Sequence, residues 1–290
     1  MQLRPSELIL NTDNSIYHLN LLPQDLADTI ITVGDPDRVA SVSDHFDTVE
    51  IKKGKREFIT HTGSLHGKRI TVISTGIGTD NIDIVLNELD ALVNIDFTTR
   101  KPKTIKTTLD IVRIGTSGSI QPHIPTGSFV MSEYAMGFDS LLHFYESGHV
   151  QNSKIQDAFV AHAQWYSDKS TPYVVSFDAA LGEQLLSDKV IKGFTVTNVG
   201  FYGPQGRMLR LKTQDSDLNS KLANFDYQGL QITNLEMETS GIYGLAKLMG
   251  HRAVSMNCIL ANRSTGEFSI NPKEDIDSLI QYTLQKLVST

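Results

Sequence analysis

A wound α/β domain is the architecture this sequence predicts, and three observations carry it. Short β-branched runs recur along the 290 residues, glycine-rich turns follow several of them, and longer stretches of helical apolar spacing come next. No Pro/Ser-rich linker and no fixed-period repeat interrupts the pattern, so a single domain is expected over residues 1–290.

Taken in order, the first run is Thr29-Ile30-Ile31-Thr32-Val33, which stops at Gly34-Asp35-Pro36 and reads as a buried strand. Arg69 to Ser74 is the second strand and ends at Thr75-Gly76. Behind it, Ile82, Val85, Leu86, Leu89 and Val93 fall at helical spacing, with Thr79 or Asp80 as the expected N-cap. Asp110 to Ile114 is a third strand, expected to end at the turn Gly115-Thr116-Ser117-Gly118. Ser128 to Ser132, Tyr173 to Ser176, Phe194 to Thr197 and Arg252 to Met256 are further strands. From Lys273 onward, Ile276, Leu279, Ile280, Thr283, Leu284 and Leu287 line one face of a closing helix. The basic stretch from Thr98 to Lys106 reads as a solvated surface loop.

Composition narrows the function. Apolar residues at 40% together with 21 glycines match a globular domain. A net charge of −7 argues against a general nucleic-acid binder and leaves a local basic pocket for a small anion open. The single cysteine, Cys258, excludes an intrachain disulfide, fits a reducing compartment, and reads as a packing residue beside Ile259 and Leu260. The segment Met1 to Glu7 lacks the apolar core of a signal peptide, and no run of about 18 uncharged apolar residues occurs. A cytoplasmic protein without a membrane partner is therefore expected. The nine histidines are scattered, with neither a His-Glu-x-x-His pattern nor cysteine ligands, so no metal centre is expected. The absence of a Gly-x-Ser-x-Gly elbow removes support for a serine hydrolase.

Two turns at strand ends carry both glycine and a cation: Gly34-Asp35-Pro36-Asp37-Arg38, and Arg113 just before Gly115-Thr116-Ser117-Gly118. Glycine admits close backbone approach to an anion, and arginine presents a planar fork to phosphate oxygens. Neither turn is a P-loop, which favours inorganic phosphate or a monoester over a nucleoside triphosphate. Gly76-Ile77-Gly78 resembles the start of a dinucleotide fingerprint, but Asn81 stands where the third glycine belongs. Glu236 and Glu238 flank Met237 ahead of a helical run. They either complement that helix's dipole or accept hydrogen bonds from the vicinal hydroxyls of a sugar. In Phe201-Tyr202-Gly203-Pro204-Gln205-Gly206-Arg207 an amide and a guanidinium suit a ring that presents C=O and N–H side by side, as uracil does.

Together these segments resemble the nucleoside phosphorylase-I family, in its uridine phosphorylase branch. The match runs in one order through Tyr17-His18-Leu19, Gly34-Asp35-Pro36-Asp37-Arg38-Val39, Arg56-Glu57-Phe58 and Ser74-Thr75-Gly76-Ile77-Gly78. It continues through Arg113 to Pro122, Phe201-Tyr202 with Gln205 and Arg207, Glu236-Met237-Glu238 and Asn262-Arg263. The resemblance implies a mixed sheet wrapped by helices, and phosphorolysis of uridine, extending in some relatives to deoxyuridine or thymidine. It implies that Gly34, Arg38, Arg113 and Thr116 bind phosphate, with Arg56 supplied by a neighbouring subunit. Met237 and Glu238 would hold the ribose, His18 of the neighbour would meet its 5′-hydroxyl, and Gln205 and Arg207 would read the pyrimidine edge. Phe201 would pack on the base and Arg263 would support that end.

The implied partners are inorganic phosphate, a pyrimidine nucleoside and at least one further copy of the chain, with no organic cofactor. An intersubunit potassium site is also implied; Glu57 and Ile77 match it, while Thr79-Asp80-Asn81 replaces the usual stretch ending in serine. Gly206 replaces a usual acidic residue, Gly203-Pro204 inverts the usual order, and Thr98 to Thr108 reads as an insertion. A purine phosphorylase, a nucleoside hydrolase and a non-catalytic nucleoside-binding protein are the alternatives on the same scaffold. Against the first stands Asn262, in the place of an aspartate that protonates purines. Against the second stand Arg38 and Arg113, which hydrolysis does not need.

Overall fold

The computed structural model describes residues 2–289, so Met1 and Thr290 of the expected domain lie outside the described residues. In chain order the strands are β1 (Thr29–Val33), β2 (Thr48–Lys55), β3 (Phe58–Leu65), β4 (Lys68–Ser74), β5 (Ile95–Asp96), β6 (Lys101–Pro102), β7 (Asp110–Ser119), β8 (Phe129–Gly137), β9 (Tyr173–Ser176), β10 (Val190–Thr197), β11 (Asp226–Tyr227), β12 (Leu230–Glu236), β13 (Arg252–Asn262) and β14 (Glu267–Phe268). The α-helices are α1 (Asp37–Ser43), α2 (Thr79–Asn94), α3 (Ser153–Ala163), α4 (Ala179–Leu185), α5 (Leu218–Ala223), α6 (Thr239–Met249) and α7 (Pro272–Val288).

Twelve of these strands form one mixed sheet in the order β11-β12-β10-β8-β13-β7-β1-β4-β3-β2, with β14 on β13 and β9 on β8. β1 runs parallel to both β4 and β7, and all five of its residues are buried, which is why it reads as an unbroken apolar run. At the far side β12 pairs antiparallel with the end of β7, Leu235 opposite Gly118, and so closes β7, β13, β8, β10 and β12 into a ring. One apolar layer packs α2 and α6 on the sheet through Val85, Leu89, Ile242 and Leu245. A second layer packs α1, α4 and α7 through Val39, Leu181 and Leu284, and a third gathers Phe159, Phe194 and Phe225 beneath α3 and α5.

Three local expectations are corrected. β7 does not stop at Gly115; it continues to Ser119, because β13 pairs with it along its whole length. Thr79 and Asp80 lie inside α2 and not at its cap; the cap residue is Gly78, at φ 100°, without a side-chain cap bond. The basic stretch is not merely solvated: β5 and β6 form a short hairpin, and the Arg100 guanidinium ties it to the carbonyls of Leu3, Arg4 and Leu8. The closing helix spans Pro272–Val288, with Leu279, Ile280, Thr283, Leu284 and Leu287 buried as the spacing predicts.

Candidate active site

The carboxyl ends of β1, β4, β7 and β12 open into a cavity of about 730 Å³. Nine of the residues expected at the site line it: Gly34, Arg38, Arg113, Thr116, Phe201, Gln205, Arg207, Met237 and Glu238. His18, Arg56 and Arg263 do not line it.

At the inner end two arginines come from separate stretches of chain. Arg38 sits in the first turn of α1, half-buried, and its Nη1 makes one long bond of 3.4 Å to the Ile114 carbonyl. Burial and the neighbouring Arg113 charge both push its pKa down, so an anion placed here relieves it. Arg113 is 5% exposed and already engaged. Its Nη2 lies 2.6 Å from Glu238 and 3.2 Å from Glu236, and its Nη1 donates to Asn257 at 2.9 Å. Burial opposes its charge, yet the two carboxylates hold its pKa above the ordinary range. The expectation did not include these partners. Arg113 is first the counter-charge of two buried glutamates, and its Nε–H is its donor without a bond among the described residues.

The two glutamates divide the alternatives left open for them. Glu236 ends β12 and caps α6: its carboxylate accepts from the Glu238 and Thr239 amides at 2.9 and 3.0 Å and from the Thr197 and Thr239 hydroxyls. Glu238, at the start of α6, accepts from the Gly78 amide at 2.9 Å and from Arg113. Burial raises its pKa, with Glu236 adding to the shift and Arg113 opposing it. The Gly76-Ile77-Gly78 turn thus serves a carboxylate donor role, with Gly78 held at a φ that a side chain resists.

At the outer end Gln205 is buried at 2% exposure and held from both sides. Arg207 donates to its Oε1 at 2.5 Å, and Arg263 donates to its backbone carbonyl at 2.9 Å. Arg263 thus holds the Gln205 backbone from outside the cavity lining. The Arg207 guanidinium stacks 3.8 Å over the Phe201 ring, and burial with Arg263 nearby lowers its pKa to about 10. Phe201 thus packs on Arg207 and lines the cavity. Gly206 holds φ 67°, and a methyl group there would lie 2.6 Å from the Asn219 amide, so a side chain of any kind is strained at this turn. Asn262 lies away from the cavity, spending its amide on the Gln121 and Ile124 carbonyls and on the Ser264 and Thr265 amides.

Arg56 and His18 gather outside the cavity around Tyr17. His18 packs edge-on against its ring at 4.8 Å, the Arg56 guanidinium lies 6.0 Å from its centre, and His18 Nδ1 meets Glu88 at 2.6 Å. Cys258 is fully buried, and burial pushes its thiol up to about 12, in keeping with a packing role. Sequence reasoning missed four residues here: Asn81, Ser117 and Phe268 line the cavity, and Asn257 seats Arg113. Ser117 alternates along β7 with neighbours already singled out; reading Gly115 to Gly118 as a turn hid that alternation.

A family model described as the phosphorylase superfamily matches residues 28–290. Uridine phosphorylase of Thermococcus kodakarensis is 29% identical over 258 residues, covering 87% of this chain and 79% of that one. Uridine phosphorylase of Haemophilus influenzae is 29% identical over 288 residues, 95% of each chain. A Trypanosoma brucei nucleoside phosphorylase, whose structure is described as showing uridine phosphorylase activity, superposes with a TM-score of 0.87 at 27% identity over 98% of this chain and 100% of that one.

Proposed function

This chain belongs to the phosphorylase superfamily, and from that premise we propose that it cleaves uridine with inorganic phosphate to give uracil and ribose 1-phosphate. The observation that carries the reading is the two-ended cavity. Arg38 and Arg113 meet at one end, the Gln205–Arg207 pair stands at the other, and Glu238 lies at the arginine end with Met237 beside it.

A phosphate oxygen forms a bond to C1′ as the C1′–N1 bond breaks, through an oxocarbenium-like state. The electron pair of the broken bond passes into the uracil ring. Gly34, Arg38, Thr116 and the remaining donor of Arg113 hold the phosphate, which is catalysis by positioning. Glu238 accepts from the 2′- and 3′-hydroxyls beside Met237. Gln205 and Arg207 hold the ring edge and stabilise the charge that builds on it, and such preorganised donors are each worth about 10²–10³ in rate. Deoxyuridine and thymidine lack the 2′-hydroxyl and would leave Glu238 the 3′-hydroxyl alone.

The active unit is at least a dimer in this reading. Arg56 and His18 cluster outside their own cavity, which supports the reading that they serve a neighbour's phosphate and 5′-hydroxyl. A monovalent cation near Glu57 and the Ile77 carbonyl belongs to the same proposal; both residues lie on the cavity wall. The chemistry as written needs no organic cofactor. No helix among the described residues is long and apolar enough to cross a membrane.

The experiment is an assay of uridine, thymidine and inosine side by side, with and without phosphate. Phosphate-dependent loss of uridine with ribose 1-phosphate formed is the expected result. Cleavage that proceeds without phosphate would make the protein a hydrolase, and binding without turnover would make it a nucleoside-binding protein.

A further inference from the structure

A chain of buried hydrogen bonds runs beneath the cavity floor from Arg113 to Ser117. Arg113 Nη1 donates to Asn257 Oδ1 at 2.9 Å, and Asn257 Nδ2 meets Ser132 Oγ at 3.1 Å. Ser132 Oγ lies 2.5 Å from Thr195 Oγ1, which is 3.0 Å from Asn234 Oδ1, and Asn234 Nδ2 is 3.0 Å from Ser117 Oγ. The four linking side chains are fully buried.

A guanidinium can only donate, so Asn257 must turn its oxygen to Arg113 and its NH₂ to Ser132. Ser132 Oγ and Thr195 Oγ1 share one proton, and because Thr195 donates its own to Asn234 Oδ1, Ser132 is the donor between them. Asn234 therefore presents oxygen to Thr195 and NH₂ to Ser117. Ser117 accepts from that amide, and its own O–H has no protein acceptor among the described residues. Ser117 is 8% exposed and lines the cavity, so this proton is available to a group bound there. It lies on β7 between Arg113 and Gly118, where a methyl group would lie 3.9 Å from Nη2 of Arg207.

We propose that Ser117 is a further catalytic residue, its hydroxyl donating to the pyrimidine carbonyl oxygen adjacent to the departing nitrogen. Asn234, Thr195, Ser132 and Asn257 are positioning residues that keep this hydroxyl a donor. The inference rests on the uridine-cleaving reading of the site.

The test compares wild type, Ser117→Ala and Ser117→Thr on uridine and on 5-fluorouridine, whose base departs more readily. Ser117→Ala should lower kcat for uridine about tenfold while leaving KM for phosphate unchanged. The loss should shrink on 5-fluorouridine, and Ser117→Thr should restore most of the rate. Equal losses on both nucleosides, a threonine variant as slow as alanine, or no loss at all would overturn the role of Ser117 while wild-type turnover of uridine stands. A wild-type protein that cleaves no uridine would overturn this inference together with the reading beneath it.

Discussion

Arg38 and Arg113 share a cavity, yet their substitution should read out differently. Arg38 makes one long bond within the chain, so Arg38→Ala should raise KM for phosphate at least tenfold and leave thermal stability nearly unchanged. Arg113→Ala strands two buried carboxylates, and losing one partner of a buried pair costs about 3–5 kcal/mol. Activity and melting temperature should fall together there, and a normal melting curve would refute the pairing. Glu238 gives a pH test. Its pKa in the folded protein is raised, mainly by burial, so above the ordinary glutamate range the folded state holds more proton than the unfolded one. Stability from this group is present at low pH and is lost as pH rises toward the raised value. Glu238→Gln should flatten that loss in a series of melts against pH while abolishing turnover, whereas identical slopes in both proteins would mean that Glu238 ionises freely.

The turn between β4 and α2 shows how an element delivers a donor. Gly78 at φ 100° aims its amide at Glu238, and a methyl group there would lie 2.7 Å from the Asp80 carboxylate. Strain at such a position is worth about 1–3 kcal/mol. Gly78→Ala should therefore lower stability by that order and raise KM for uridine, as denaturant titration and initial rates would show. Unchanged uridine kinetics would separate this turn from the sugar site. The same turn explains what was legible beforehand. Thr29–Val33 and the Gly34 to Arg38 stretch are local signals, a buried run and then a break, and the structure keeps both. β2 carried no such signal, since Thr48 to Lys55 is largely exposed and charged and is a strand only because β3 pairs with it. The engagement of Arg113 by Glu236 and Glu238 was hidden for a different reason. It joins residues about 125 positions apart through the ring closure of β12 on β7, which no periodicity announces.

At the scale of the whole molecule, one chain sets the carboxylates of Asp35, Glu57, Glu236 and Glu238 in the cavity that holds Arg38 and Arg113, a poor net attraction for the dianion proposed to bind there. Arg56 and His18 lie together outside that cavity, so a symmetric partner would correct the balance by placing its Arg56 across the interface. Mixing two inactive variants decides between this and a monomeric site. In an Arg38→Ala homodimer both sites lack Arg38, and in an Arg56→Ala homodimer both lack the partner's cation. In a mixed dimer, the site built on the Arg56→Ala chain keeps its own Arg38 and receives an intact Arg56 from its partner. The other site is doubly deficient. Random exchange at equal concentrations makes about half the dimers mixed, so roughly a quarter of wild-type activity should return. If Arg56 served its own chain, every site would still lack one arginine and mixing would restore nothing.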